Sequence, residues 1–402
     1  MNTSNFKIDM QCPRCGAPVV LDESECIVQC GFCRTRHALH TDPFPCYYIE
    51  PGPKMPAATE PLYVPYWRFR GMEFSLDKAS PGFRVIDHSC LAVNTKGLPP
   101  SLGLRPQARP LKFIGKDTNG VFLPPEISGK TALKQMTGEG EDKIYIGETL
   151  SLIFMPLSRN SNVLCDGLTG TPLSISVSDL PAEKKAPGHQ LSFTPCLCPD
   201  CGWDLKGRTD SLVIHCSNCT KFWLIRNKKL NRIEAAFSDS NPETKILMPF
   251  WRLQVEFNLI TCSTYADLIK IANIPKAVQE EHKKQLLYFY IPAFKINPKL
   301  FLRIAKQMTL AQISSVPAEK IPEIEFHPTD LPLDEGAQAV FPALAEMAGH
   351  RKETINSLKK EKLKIHAFSL MYISFQESGS EYAQKEMGIS LPKNALQKGF
   401  KP

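Results

Sequence analysis

Eight of the 14 cysteines in this 402-residue chain fall into two identical patterns. In each pattern, 14 residues separate one Cys-x-x-Cys pair from a second pair, and a glycine directly follows the first pair. Two thiolates on one tight turn can face the same ion, and two such turns complete a tetrahedral four-sulfur site. The sequence therefore predicts two metal sites, with the ligands Cys12, Cys15, Cys30 and Cys33 in the first and Cys198, Cys201, Cys216 and Cys219 in the second.

Zinc is the expected metal, at two ions per chain. Iron in a rubredoxin-like centre is an alternative, because tetrahedral sulfur coordination suits both metals. A third interpretation is that the eight thiols bind no metal and are either unligated in the core or paired in disulfides. Because four cysteines fill every position of a tetrahedral site, we expect both sites to be structural; a catalytic zinc keeps one position open for water.

Several other candidate ligands lie outside the two patterns. Cys196 precedes Cys198 by two residues and could compete for a ligand position, and His37, His40 or His215 could replace a cysteine. The six remaining cysteines have no counterparts at the spacing of the repeat, and we expect them to be buried or inert thiols. They are Cys26, Cys46, Cys90, Cys165, Cys196 and Cys262.

The cysteine patterns belong to a longer internal repeat. All eight cysteines superpose at a shift of 186 residues. Three further matches follow in the same order, pairing 64–69 with 248–253, 122–127 with 326–331, and 151–155 with 369–373. Their shifts of 184, 204 and 218 residues differ only through insertions and a small deletion. The sequence thus predicts a tandem duplication of one unit.

Each copy is expected to consist of a zinc ribbon followed by a mixed body. The predicted domains are 1–45 for the first ribbon, 46–187 for the first body, 188–235 for the second ribbon and 236–402 for the second body. Short apolar segments between the cysteine pairs indicate a hairpin that brings the two turns together. Alternating apolar residues in the bodies and 34 prolines favour strands over helices, so the predicted fold class is α+β and β-rich.

The helix and strand signals of the bodies can be placed on particular residues. A helix is predicted from Pro298 to Met308, with Asn297 as its N-cap, and a second over 342–364 with an interruption near residue 349. The repeated Pro-aromatic-Trp-Arg motif predicts a strand in each copy. The arginines of this motif, Arg68 and Arg252, could form an ion pair or contact a partner. Alternatively, their aliphatic stems could lie over apolar neighbours.

Composition narrows the class of protein. With 43% hydrophobic and 22% charged residues, the chain is expected to fold. The longest nearly unbroken apolar run, 286–294, is too short for a membrane span, and the first residues lack a secretory signal, so we expect a cytoplasmic protein. Motifs of nucleotide-binding, metalloprotease and hydrolase enzymes are missing from the sequence, and no small-molecule substrate is indicated.

The two four-cysteine patterns resemble the zinc-ribbon superfamily. The order of ribbon, Pro-aromatic-Trp-Arg strand and aromatic β segment is similar to bacterial tandem zinc-ribbon proteins loosely described as TFIIB-type or primosomal-like. Zinc ribbons occur in transcription factors, replication proteins and protein scaffolds. The resemblance therefore implies the ribbon fold and its zinc, but no single function.

The sequence favours a non-enzymatic zinc protein that acts as a protein-interaction or assembly scaffold in a larger cytosolic complex. Nucleic-acid binding is the main alternative, and it would use Phe32, Arg14, Arg34 and Arg36 near the first ribbon or the basic segment 226–232. The net charge of +7 falls mainly in the second copy and is modest for a dedicated nucleic-acid binder. An enzyme of unrecognised type is a further alternative.

Overall fold

The structure is a computed structural model, and it confirms a strand-rich mixed fold with 42% strand and 18% helix. It describes residues 6–56, 59–76, 80–115, 118–137, 142–160, 163–182, 190–238, 243–313, 316–317 and 320–398. The domain boundary predicted between residues 187 and 188 lies outside these described residues.

The elements that begin in the first 196 residues are mostly strands. In chain order they are β1 (Lys7–Gln11), β2 (Pro18–Asp22), β3 (Ile27–Gln29), β4 (Arg36–Asp42), β5 (Cys46–Ile49), β6 (Leu62–Ser75), β7 (Gly82–Leu91), α1 (Arg105–Ala108), β8 (Leu111–Phe113), β9 (Val121–Phe122), α2 (Gly129–Thr137), β10 (Lys143–Asn160), β11 (Val163–Asp166), β12 (Pro172–Ser176), a 3-10 turn (Val177–Asp179) and β13 (Gln190–Pro195).

The remaining residues carry most of the helix. Their elements are β14 (Leu205–Lys206), β15 (Val213–Cys216), β16 (Phe222–Arg226), β17 (Lys229–Ile233), β18 (Ala235–Phe237), β19 (Thr244–Phe257), α3 (Tyr265–Ile271), α4 (Glu280–Lys284), β20 (Phe289–Pro292), α5 (Pro298–Ala311), β21 (Val316–Pro317), β22 (Glu325–Phe326), α6 (Leu333–Gln338), α7 (Val340–Met347), α8 (Arg351–Leu358), β23 (Leu363–Ser378), β24 (Glu381–Gln384), β25 (Ile389–Pro392) and α9 (Lys393–Lys398).

The chain divides into two compact units. The first consists of Met1–Arg70, Ile86–Gly140 and Glu148–Cys196, and the second of Gly71–Val85, Glu141–Gly147 and Leu197–Pro402. In the sheet to which the first unit contributes most strands, the order is β12-β11-β10-β5-β8-β1-β2, and β6 pairs with β7, β9 and β10. A smaller sheet of the first unit has the order β13-β4-β3. In the second unit, one sheet runs β14-β15-β16-β17 and the other β20-β19-β23-β18-β21, with β22 against β19.

The strand registers repeat at the shifts found in the sequence. Parallel pairing joins Tyr63 to Phe122 in the first copy and Leu247 to Phe326 in the second, which are the same positions shifted by 184 and 204 residues. The parallel pair β5–β10 of the first copy corresponds to the parallel pair β18–β23 of the second. The paired residues of β10 and those of β23 are related by the shift of 218 residues. Each body is therefore built on the same local strand arrangement, as a tandem duplication requires.

A buried tryptophan anchors the core of each body. The indole Nε1 of Trp67 donates a hydrogen bond of 2.6 Å to the carbonyl oxygen of Ile127, and Trp251 Nε1 donates one of 2.9 Å to that of Leu331. Ile127 and Leu331 are equivalent residues at the shift of 204. Both indole rings are at most 3% exposed, so each bond fixes a loop against a strand inside the apolar core.

The predicted helix start at Asn297 is confirmed. The Asn297 side chain accepts a hydrogen bond from the backbone N–H of Lys299, 3.0 Å away, and α5 continues to Ala311. The helix predicted over 342–364 is observed as α7 and α8, but its end was wrong. Helix α8 ends at Leu358, because β23 begins at Leu363, which pairs with Phe257 of β19. None of the helices in the described part of the chain has the length and hydropathy needed to cross a membrane.

We predict that Trp251→Phe lowers the free energy of unfolding by about 3 kcal/mol, because it leaves a cavity and removes the hydrogen bond to a buried carbonyl. Chemical denaturation followed by circular dichroism measures this change. Trp203→Phe is the matched control, because Trp203 is 57% exposed and should change stability by less than about 0.5 kcal/mol. Equal effects of the two substitutions would contradict an anchoring role for Trp251.

Candidate metal centres

The eight predicted ligands meet in two groups of four. Within each group all sulfur atoms lie within 4.8 Å of one another, so each group could hold a metal ion. The sulfur atoms are 3.7 Å apart in Cys12–Cys33 and 3.6 Å apart in Cys15–Cys30 of the first group, and 3.5 Å apart in both Cys198–Cys219 and Cys201–Cys216 of the second.

These separations suit a shared ion. Four sulfurs at zinc–sulfur distances of about 2.3 Å in a tetrahedron lie about 3.8 Å apart. A disulfide would require about 2.05 Å, and all 14 cysteines are free thiols in the structure. The geometry therefore favours the metal-site interpretation over disulfide pairing.

The first turn of each site is closed by backbone hydrogen bonds. Gly16 N–H donates to the Cys12 carbonyl at 3.0 Å, and Gly202 N–H donates to that of Cys198 at 2.8 Å. Gly16 has φ 73° and Gly202 φ 72°, a left-handed conformation that glycine adopts without steric cost. The glycine that follows each first pair in the sequence is thus explained by the turn.

The second turn of each site adopts the same conformation without a glycine. Arg34 has φ 57° and Thr220 has φ 58°, each directly after the last cysteine of its site. A left-handed backbone costs a residue other than glycine about 1–2 kcal/mol, and a β-branched residue such as threonine is an outlier there. The surrounding turn therefore holds these two residues in an unfavourable conformation.

Both sites show the same burial along the chain. The first and third cysteines of each site are buried, the second is exposed and the fourth is half-buried. Cys15 and Cys201 are the exposed members. An ion at either centre would thus have protein on one side and solvent access on the other.

Hydrogen bonds prepare one thiol of each site for deprotonation. The side chain and the backbone N–H of Thr35 lower the pKa of Cys33 to about 6, and its Oγ1 lies 3.0 Å from the sulfur. The Asn218 side chain and the Trp203 backbone N–H lower the pKa of Cys201 to about 6. Because the thiolate is the metal-binding form, a lowered pKa favours coordination by these two sulfurs.

The other candidate ligands named from the sequence lie apart from both groups. His37 Nε2 lies 3.2 Å from the hydroxyl of Thr35, and His40 Nε2 lies 3.0 Å from that of Thr194. The ring of His215 packs against Phe222. Within the part of the chain that the structure describes, neither group of sulfurs includes a histidine.

The remaining six cysteines are also outside the two groups. Burial raises the pKa of Cys90 to about 11 and that of Cys262 to about 12, and it also raises the pKa values of Cys46 and Cys196. A buried, protonated thiol is a poor nucleophile and a poor metal ligand. These four cysteines therefore fit the inert role expected of them.

We predict that Cys216→Ser lowers the metal content from two ions per chain to one, because it removes a buried ligand from one site and leaves the other complete. Elemental analysis of the purified protein measures the content and identifies the metal. Cys90→Ser, outside both groups, should retain both ions. A wild-type content of one ion or none would contradict the duplicated-site assignment.

We predict that Thr220→Gly raises the free energy of unfolding by about 1 kcal/mol, since it relieves the left-handed strain at φ 58°. Gly202→Ala is the matched opposite change and should lower stability by about 1 kcal/mol. No heavy atom lies within 4 Å of an added Cβ at Gly202, so only the backbone conformation is affected. A destabilising Thr220→Gly in thermal unfolding of the metal-loaded protein would refute the strain.

Comparisons with models of known protein families, with curated proteins and with solved structures each found no match for this chain. The structural support therefore comes from the chain itself. Its two four-cysteine groups could each bind a metal ion, which is consistent with ribbon-like sites. The chain is thus described by its geometry as a strand-rich protein with two candidate metal centres.

Proposed function

We propose that this chain is a non-enzymatic, cytoplasmic zinc protein that acts as a protein-interaction or assembly scaffold. Both candidate centres offer four cysteine sulfurs, so a bound zinc would have no open position for water or substrate. Such an ion stabilises a ribbon and holds its surface in a fixed shape. The zinc-ribbon resemblance of the two cysteine patterns supports zinc as the metal and a structural role for it.

The observation that carries the proposal is an exposed aromatic ring at each centre. Phe32 lies between the last two cysteines of the first site and is 74% exposed. Trp203 follows Gly202 in the second site and is 57% exposed. Large aromatic side chains on a rigid turn are the residues that most often dominate the binding energy of protein interfaces.

The charges around the two rings differ, so the two surfaces would select different partners. Exposed Arg34 lies two residues after Phe32, and exposed Arg14 lies between the first two cysteines of the same site. At the second site, exposed Asp204 directly follows Trp203, and exposed Asp200, which pairs with Lys221, lies three residues before it. Charges at the rim of an interface steer encounter and exclude unsuitable partners. We therefore propose an acidic partner surface for the first ribbon and a basic one for the second.

The test is affinity purification of the tagged full-length chain from its native cells, followed by quantitative mass spectrometry. We predict that Phe32→Ala or Trp203→Ala lowers the recovery of a specific partner about tenfold or more, because each removes the aromatic anchor of its contact. Leu104→Ala and Leu259→Ala are the controls, since these leucines are also exposed, at 73% and 59%. Partner recovery that is equal in all four variants, or a wild-type chain that purifies alone, would contradict the proposal.

Nucleic-acid binding is a second candidate, favoured by the same exposed ring and by the exposed arginines of the first site. Phe32 could stack on a base while Arg14 and Arg34 contact phosphate. In contrast, Arg226 of the basic segment 226–232 is paired with Asp334 at 2.7 Å, which weakens the case for that segment. Retention of the protein on a single-stranded DNA or RNA column that falls steeply with salt would favour this candidate. Retention that does not change with salt would exclude it.

A further inference from the structure

The two repeated arginines occupy equivalent places but have different surroundings. Arg68 and Arg252 each follow the anchoring tryptophan on the equivalent strands β6 and β19. In the first copy, Arg68 is buried and pairs with the carboxylates of Glu23 and Asp87, the latter at 3.1 Å. Its guanidinium also lies over the Phe6 ring, 3.9 Å from the centroid. The charge of Arg68 is therefore neutralised within the protein.

The second copy has lost this neutralisation. Ala92, directly after β7, donates its N–H to the Pro65 carbonyl, and Ala293, directly after β20, donates its N–H to the Pro249 carbonyl. These equivalent bonds align β7 with β20 at a shift of 201 residues. At that shift, Tyr288 takes the place of Asp87. Its ring lies under the Arg252 guanidinium at 3.6 Å.

Arg252 consequently has unused hydrogen-bonding capacity. Within the described residues, no carboxylate lies in ion-pair distance of Arg252, and its buried Nε has no hydrogen-bond partner. The neighbouring Tyr290 hydroxyl donates a hydrogen bond of 2.9 Å to the Ile313 carbonyl and accepts one from the Arg252 side chain, so the unpaired donor of Arg252 is its Nε. A buried guanidinium nitrogen without a partner is costly, which makes a ligand oxygen at this place favourable.

Arg252 lines a cavity of about 490 Å³ that contains two further cations. Arg232 is exposed and, like Arg252, has no carboxylate in ion-pair distance among the described residues. Lys221 is the third cation, although it is paired with Asp200. The wall also includes one acidic residue, Glu234, together with Ser369 and Cys219, a ligand of the second metal centre. In the first copy, the cavity beside Arg68 has about 190 Å³ and is lined by Asp87.

We propose that this cavity of the second copy binds a small molecule bearing a phosphate group. A guanidinium fork matches the oxygens of phosphate, and two arginines with a nearby lysine suit its double negative charge. A volume of 490 Å³ is within the range of small-molecule pockets and exceeds what inorganic phosphate alone requires. One site per chain follows, because the equivalent arginine of the first copy is already paired.

The experiment is calorimetric titration of the full-length, metal-loaded chain with inorganic phosphate and with pyrophosphate at constant ionic strength. We expect one binding event per chain and an affinity at least tenfold weaker in Arg252→Gln and severalfold weaker in Arg232→Gln. Arg303→Gln, an exposed arginine of the same unit outside this cavity, is the control and should bind as the wild type does.

Further variants keep the proposal open to refutation if Arg252→Gln disturbs folding. Arg232 is exposed, so its substitution tests the site without disturbing the core. Tyr288→Asp should abolish binding while retaining Arg252, since it rebuilds the carboxylate pairing of the first copy. The assignment would be overturned if titration released no heat, or if Arg303→Gln lost as much affinity as Arg252→Gln. Tighter binding of acetate than of phosphate would also overturn it. Metal content, measured on each variant, separates this result from the metal sites.

Discussion

Four sulfur atoms confined within 4.8 Å of one another are the constraint around which each candidate metal centre is organised. The sulfurs can converge only if two turns adopt nearly the same shape, and the chain accepts a left-handed residue after each cysteine pair to achieve it. At Thr220 this conformation has a steric cost. A protein that retains such a residue needs an interaction that offsets the strain, and metal coordination is strong enough to do so.

The bodies depend on a different interaction, the hydrogen bond from a buried indole to a loop carbonyl. Trp67 and Trp251 make this bond in equivalent positions, and the strands around them keep the same register. Divergence between the copies occurs around this conserved frame. Asp87 in the first copy and Tyr288 in the second give the equivalent arginines different surroundings, while the strands that carry these arginines stay equivalent.

The sequence predicted most of the features that have a periodic or fixed-spacing signature. The cysteine spacing, the shifts of the repeat and the Asn-Pro helix start at Asn297 are local patterns, and the structure places them as expected. An ion pair was one of the interpretations for Arg68, but its partner Glu23 could not be predicted, since Glu23 lies 45 residues away in the sequence, between the cysteine pairs of the first centre. The end of α8 was misjudged for a similar reason: polar residues after Leu358 tolerate a helix locally, but strand pairing with β19 begins at Leu363.

Strand β13 has a consequence for how the duplicated chain can be divided. It precedes the second cysteine cluster, yet residues 190–195 pair with β4 beside the first cluster and belong to the first unit. A fragment starting at residue 188 would carry this strand without its hydrogen-bonding neighbour, and a fragment ending there would leave one edge of β4 open. Open strand edges recruit strands from other molecules, so either half on its own would tend to self-associate. The two cysteine patterns repeat at one shift, but the compact units do not follow that repeat: β13 belongs to the first unit, and Gly71–Val85 belongs to the second.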